Sequence, residues 1–147
     1  MGKTNHVEQM TITFPSDLKY LGAVDAAVQD LARELLFSQD AINDLGTALI
    51  EACSNAIEHG NKFSPDKHVT VALRFQGKTL IASVKDEGVG FDFKKALNEE
   101  PDPDPTSERG RGILIMRAFT DSLGFRYSDG GLVVELTKLR DAPSASE

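Results

Sequence analysis

An α+β fold is what this sequence predicts: a two-layer α/β sandwich whose mostly antiparallel, mixed sheet carries its helices on one face. Three observations lead there. Period-two alternation opens and closes the chain, two stretches of helical spacing follow the first alternating run, and turn chemistry divides the later runs into hairpins. With 147 residues, 40% of them apolar and 27% charged, the chain suits a single domain around one core.

VEQMTITF at 7–14 alternates as a strand, and Pro15-Ser16 breaks it, so that Ser16 is the expected N-cap of a first helix. Leu18, Leu21, Val24, Val28, Leu31 and Leu35 recur at three and four, the stripe of an amphipathic helix that ends near Phe37. Ser38 then caps a second helix with Ile42, Leu45, Leu49, Ala52 and Ala56 inward, closed by Gly60. Residues 68–75 and 78–85 predict a hairpin turned at Gln76-Gly77. Between 91 and 107 the pattern dissolves into the acidic, proline-spaced NEEPDPDPTS, which predicts a mobile loop. Helical spacing returns over 112–122, and short strands at 125–127 and 132–136 flank Asp129-Gly130-Gly131, a hairpin turn. The closing DAPSASE, 141–147, is expected to fray.

Composition narrows the function. A net charge of −7 and a pI near 4.9 oppose a sequence-independent grip on DNA or RNA, which depends on Lys and Arg. A bound nucleotide is another matter, because a few backbone amides and one metal ion can hold its phosphates against an acidic surface. No apolar run is long enough to cross a bilayer and the N-terminus lacks the apolar core of a secretion signal, so no membrane partner and a cytoplasmic location are expected. The one cysteine, Cys53, cannot form an internal disulfide and reads as a small core residue. His6, His59 and His68 form no zinc pattern. P-loop, dinucleotide-fold, ordinary protein-kinase and serine-hydrolase motifs are all missing.

Three local patterns can carry chemistry. Glu51, Asn55 and His59 stand four apart on the second helix, where the Asn55 oxygen can hold Mg²⁺ and Glu51 can accept a proton one turn away. Asp86-Glu87-Gly88-Val89-Gly90 ends a strand with a carboxylate able to take a hydrogen bond from an exocyclic amine such as adenine's, and with glycines that admit a ring. Gly110-Arg111-Gly112, beside Arg109, opens a helix whose unpaired N–H groups suit phosphate. Each pattern has a plain structural reading as well: a solvated helix face, an ordinary strand-ending turn, and a flexible loop entering a helix.

In combination and in this order, Glu51-Ala-Cys-Ser-Asn55-Ala-Ile-Glu-His59-Gly60, Asp86-Glu-Gly88-Val-Gly90 and Gly110-Arg-Gly112-Ile-Leu resemble the three boxes of the GHKL ATPase superfamily. Within it the chain resembles the anti-sigma-factor serine kinases, over about 11–138. The resemblance implies a Bergerat fold, histidine-kinase-like, with a lid at about 91–109, binding ATP and Mg²⁺. Carried over, Asn55 would ligate Mg²⁺ with His59 nearby, Asp86 would read adenine, and Gly88 and Gly90 would shape the base pocket. Gly110 and Gly112 would cradle phosphates, with Arg109 and Arg111 adding charge. Glu51 would be the general base for transfer to a serine or threonine of an anti-anti-sigma (STAS-type) partner. A sigma factor is a further implied partner, and the first helix and strand an implied homodimer contact, although the same stripe serves a monomer core. Two departures stand out: Asp25, where the kinases that hold a sigma factor resemble one another in carrying arginine, and Glu58, where related histidine kinases carry a phosphate-contacting lysine. The alternative within the same superfamily is a non-catalytic, ATP-dependent partner-binding switch.

Overall fold

The computed structural model describes residues 7–88, 108–128 and 130–141, with backbone only at 108–110. The expected loop at 91–107, most of the lid, Gly90 and nearly all of the tail lie outside the described residues. Along the chain come β1 (Val7–Pro15), a 3-10 turn (Leu18–Tyr20), α1 (Leu21–Glu34), α2 (Gln39–Asn55), a π-helical turn (Ala56–Gly60), β2 (His68–Gln76) and β3 (Thr79–Lys85). Then follow α3 (Glu108–Ala118), β4 (Ser122–Ser128) and β5 (Gly131–Leu139). The strands form one sheet in the order β1-β2-β3-β5-β4, and all four ladders are antiparallel. The expected α+β class holds, and among the described residues the sheet is antiparallel throughout rather than mixed, because each sheet neighbour runs back along the one beside it.

Alternation sets which face of the sheet meets the helices. On β2, Val69, Val71, Leu73 and Phe75 are buried, and on β3 Leu80, Ala82 and Val84 join them. In register with these, β1 offers Met10, Ile12 and Phe14 inward, while Gln9, Thr11 and Thr13 face solvent. The α2 stripe of Ile42, Leu45, Leu49, Ala52 and Ala56 fills the other side of the core, and Ile57 carries it into the π turn. Burying the leucine and isoleucine side chains contributes about 1.5–3 kcal/mol each, which outweighs any intrinsic propensity in placing α2 on the sheet.

The entry to α1 differs from the sequence expectation. Ser16 is not a helix cap; its Oγ donates to Lys67 O at 2.6 Å and accepts from Asn61 Nδ2 at 2.9 Å. Asp17 caps instead, its carboxylate accepting from Lys19 N at 3.0 Å, and it starts only a 3-10 turn. Leu18 is consequently outside the stripe and 40% exposed. The cap at Ser38 is as expected, with Oγ accepting from Ala41 N at 3.1 Å. Just before it Leu36 takes φ 67°, a left-handed conformation that lets Phe37 turn inward onto Phe75, ring centroids 5.7 Å apart.

Where α1 meets α2, Asp25 turns its carboxylate inward. Its Oδ2 accepts from Gln29 Nε2 at 2.8 Å, and a Cβ on Gly46 would stand 3.0 Å from its Oδ1. Close by, Cys53 is fully buried, and that burial, with a smaller push from Asp25, raises its thiol from 9.0 to about 12. Between those values the unfolded chain releases the proton and the folded one keeps it, so stability falls as pH rises from 9 towards 12. Urea unfolding of wild type and Cys53→Ala at pH 8 and pH 10.5 should show the larger loss in wild type, approaching about 1 kcal/mol per pH unit. Equal losses in the two proteins would contradict it.

Candidate active site

The second helix supplies one wall. Up to Asn55 it is α-helical; beyond it the bonds lengthen to i→i+5, Asn61 N donating to Ala56 O at 2.8 Å. Such π turns occur mostly as single turns within helices. Here the turn brings Gly60 against the end of β3. A cleft of about 200 Å³ lies beside α2, lined by Glu51, Ser54, Asn55, Glu58, Arg111 and Ile115. Four of these are singled out by the sequence, Glu51, Asn55 and Arg111 as site residues and Glu58 as a departure; Ser54 and Ile115 complete the lining.

Glycine brings α3 close to that wall. A Cβ on Gly112 would stand 3.1 Å from Glu51 Oε2, 3.1 Å from Asn55 Nδ2 and 3.5 Å from Asn55 Oδ1. The Glu51 and Asn55 head groups therefore sit side by side on the first turns of α3. That helix begins at Glu108, four residues before the start expected from spacing, so Gly110 and Gly112 both lie within its N-terminal turns. Arg111 is exposed at the cleft. Of Arg109 and Gly110 the structure describes the backbone alone.

At the far end of the π turn Asp86 is 3% exposed. Its backbone N donates to Leu132 O at 3.0 Å, and its Oδ1 accepts from Gly88 N at 3.0 Å and Leu132 N at 3.1 Å. Two main-chain donors on one oxygen hold the carboxylate in a single orientation, with Oδ2 turned towards Gly60. Three glycines make the packing feasible. A Cβ on Gly60 would overlap Asp86 Oδ2, one on Gly88 would overlap the Gly60 carbonyl oxygen, and one on Gly131 would overlap the Asp86 carbonyl oxygen.

The structure thus gathers Glu51, Asn55, Arg111 and Gly112 at one end and Asp86 and Gly88 at the other, joined by the π turn. His59 lies within that turn and is not among the residues lining the cleft. Gly90 is outside the described residues. Sequence reasoning missed the contributions of Gly131, which it placed in a turn, and of Asn61, which is 1% exposed. An asparagine directly after His-Gly is visible in the sequence, but nothing local says what it would meet.

The oxygens of Glu51, Asn55 and Glu58 are hard donors of the kind Mg²⁺ accepts. Among the described residues no three His, Cys, Asp or Glu side chains converge as a closed metal cage. An ion here would share its coordination with phosphate and water, as Mg²⁺ does at nucleotide sites.

Comparison with known proteins identifies the family. Residues 14–138 match the family model described as histidine kinase-like ATPase domain. The serine-protein kinase RsbW of Bacillus subtilis (strain 168) is 29% identical over 142 residues, covering 91% of this chain and 87% of that one. RsbW of Bacillus licheniformis is 31% identical over 130 residues, covering 84% and 81%. Among solved structures, that of the RsbU and RsbW domains of Rv1364c from Mycobacterium tuberculosis superposes with a TM-score of 0.67 at 20% identity, over 93% of this chain and 33% of that one. The histidine kinase domain of the blue-light-activated EL346 kinase from Erythrobacter litoralis gives 0.56 at 17%, over 86% and 62%. At those identities the structures speak for the fold alone, and this chain spans less than two thirds of either. The family match over most of the chain and the relative above 30% identity are decisive: the chain belongs to the histidine kinase-like ATPase domain family, in its serine-protein kinase branch.

Proposed function

We propose that this chain is a kinase that moves the γ-phosphoryl group of ATP onto a serine or threonine hydroxyl of an anti-anti-sigma (STAS-type) protein. Membership of an ATPase-domain family makes ATP its nucleotide. The observation that carries the reading is the pairing of Glu51 with Asn55 against Gly112, which sets a proton acceptor beside a neutral oxygen donor at a helix N-terminus.

In this reading the nucleotide lies along α2 and the π turn. Glu51 and Gly60 are nine positions apart, about two helical turns, a span suited to an extended nucleoside triphosphate. The Asp86 carboxylate accepts from the adenine amine, and Gly88 leaves the ring room. N–H groups around Gly110 and Gly112 face the phosphates, with Arg109, Arg111 and His59 assisting. Two carboxylates, Glu51 and Glu58, would repel a triphosphate, so Mg²⁺ held by Asn55 is the natural counter-charge, offsetting the phosphate oxygens when bound. Glu51 takes the proton from the acceptor hydroxyl as its oxygen bonds to phosphorus and the bond to ADP breaks.

A sigma factor is a secondary partner in this reading. Asp25 stands where an arginine would serve such a complex, and its carboxylate is turned towards α2. A carboxylate-bearing partner would find no cation there.

Incubation with Mg²⁺, radiolabelled ATP and a STAS-type acceptor should label the acceptor on a hydroxyl amino acid. ATP binding without label on any such acceptor would overturn the kinase reading in favour of a non-catalytic ATP-dependent switch. Label on histidine would overturn the acceptor class.

A further inference from the structure

We propose that Asn61, which no pattern in the sequence assigned to the site, is a positioning residue that sets the adenine selectivity of the nucleotide pocket; the inference rests on the reading of Asp86 as the adenine acceptor. Its side chain spends both amide protons and its carbonyl oxygen on three separate segments. Nδ2 donates to Ser16 Oγ at 2.9 Å, at the end of β1, and to His68 O at 3.0 Å, at the start of β2. Oδ1 accepts from Glu87 N at 2.7 Å, in the turn after β3. The amide orientation follows from its partners, because the His68 carbonyl needs a donor and the Glu87 N–H needs an acceptor. Ser16 passes its own proton to Lys67 O at 2.6 Å, and Glu87 Oε1 accepts from His68 N at 2.6 Å, which closes the network.

The bond to Glu87 N holds the peptide linking Asp86 to Glu87. On one side of that peptide, Asp86 Oδ1 takes the N–H groups of Gly88 and Leu132. Asn61 holds the N–H of that peptide itself, from the end of the π turn. With the peptide fixed, the Asp86 carboxylate cannot rotate away without releasing two main-chain donors, and Oδ2 is left as the oxygen facing the base. Removing the Asn61 amide leaves the part-buried Glu87 N–H without its acceptor, a loss the chain relieves most readily by rotating that peptide towards solvent. Rotation withdraws Gly88 N from Oδ1 and frees Asp86 to turn. The expected result is loss of discrimination at the purine 6-position rather than general loss of phosphate contact.

Titration calorimetry with ATP and with inosine triphosphate, which carries oxygen in place of the 6-amine, reads this directly. Wild type should prefer ATP, and Asn61→Ala should reduce that preference about tenfold, the worth of one well-aimed hydrogen bond. Ser16→Ala is the comparator: it removes a bond of the same network, lowers the urea midpoint, and leaves Glu87 N held, so the ATP to inosine triphosphate ratio should stay at the wild-type value. Asn61→Asp keeps an acceptor for Glu87 and should restore part of the ratio. Should Asn61→Ala not fold, Asn61→Ser, too short to reach Glu87, takes its place. A wild-type preference that survives in the alanine or serine variant overturns the role of Asn61 while leaving the Asp86 reading intact. A wild-type ratio near one overturns both.

Discussion

Replacing Glu51 with alanine should lower phosphoryl transfer by about 10²–10⁴-fold, the usual worth of a positioned general base, while ATP still binds. The separation follows from the proposed roles, in which Glu51 meets the acceptor hydroxyl, whereas Asn55, the α3 N-terminus and the Asp86 pocket hold the nucleotide. Glu51→Gln is the sharper variant. It preserves volume against Gly112, where an added Cβ would stand 3.1 Å from the carboxylate oxygen, but it cannot take a proton. Single-turnover transfer to the STAS-type acceptor, with the ATP dissociation constant measured in parallel, decides it. Transfer retained in both variants would remove Glu51 from the chemistry.

Gly88→Ala should abolish ATP binding and cost about 3 kcal/mol or more of stability, at the upper end of what overpacking does. The added Cβ would overlap the Gly60 carbonyl oxygen, which is backbone and cannot swing aside as a side chain would. Gly60→Ala should act similarly by pressing on the Asp86 carboxylate. Gly22→Ala is the control. Nothing lies within 4 Å of a Cβ there, on an exposed turn of α1, and the change should be neutral or stabilising by up to about 1 kcal/mol. Urea midpoints and ATP calorimetry on the three variants test the set, and a Gly88→Ala protein that binds ATP normally would contradict the close packing of the π turn on the β3 end.

Several elements are legible because burial on one face writes a period into the sequence. The α2 stripe, the β2–β3 hairpin and the Ser38 cap all appear where spacing puts them. Boundaries fail where a residue answers to a distant partner. Ser16 has the chemistry of a cap and instead joins Lys67 and Asn61, some fifty residues on. The third helix runs over Glu108–Ala118 rather than 112–122, and Gly112, which has the look of an opening residue, lies inside it, kept small by Glu51 and Asn55. Spacing gives β4 too short a span because Gly124 interrupts the pattern, yet it lies mid-strand with open space around it.

By itself the sequence determined the fold class, the core-facing side of α2 and β2, and three motifs whose order resembles one ATPase superfamily. These are properties of local spacing and residue chemistry, which a linear pattern can hold. Tertiary structure alone decided that α2 ends in a π turn, that Glu51 and Asn55 share the space left by Gly112, and that Asp86 is locked by Leu132 and Gly88. It also turned Asp25 towards α2 and gave Asn61 its three partners. Each depends on contacts between segments far apart in the chain, where the deciding quantity is whether a group has room and a hydrogen-bond partner. No period in the sequence encodes that.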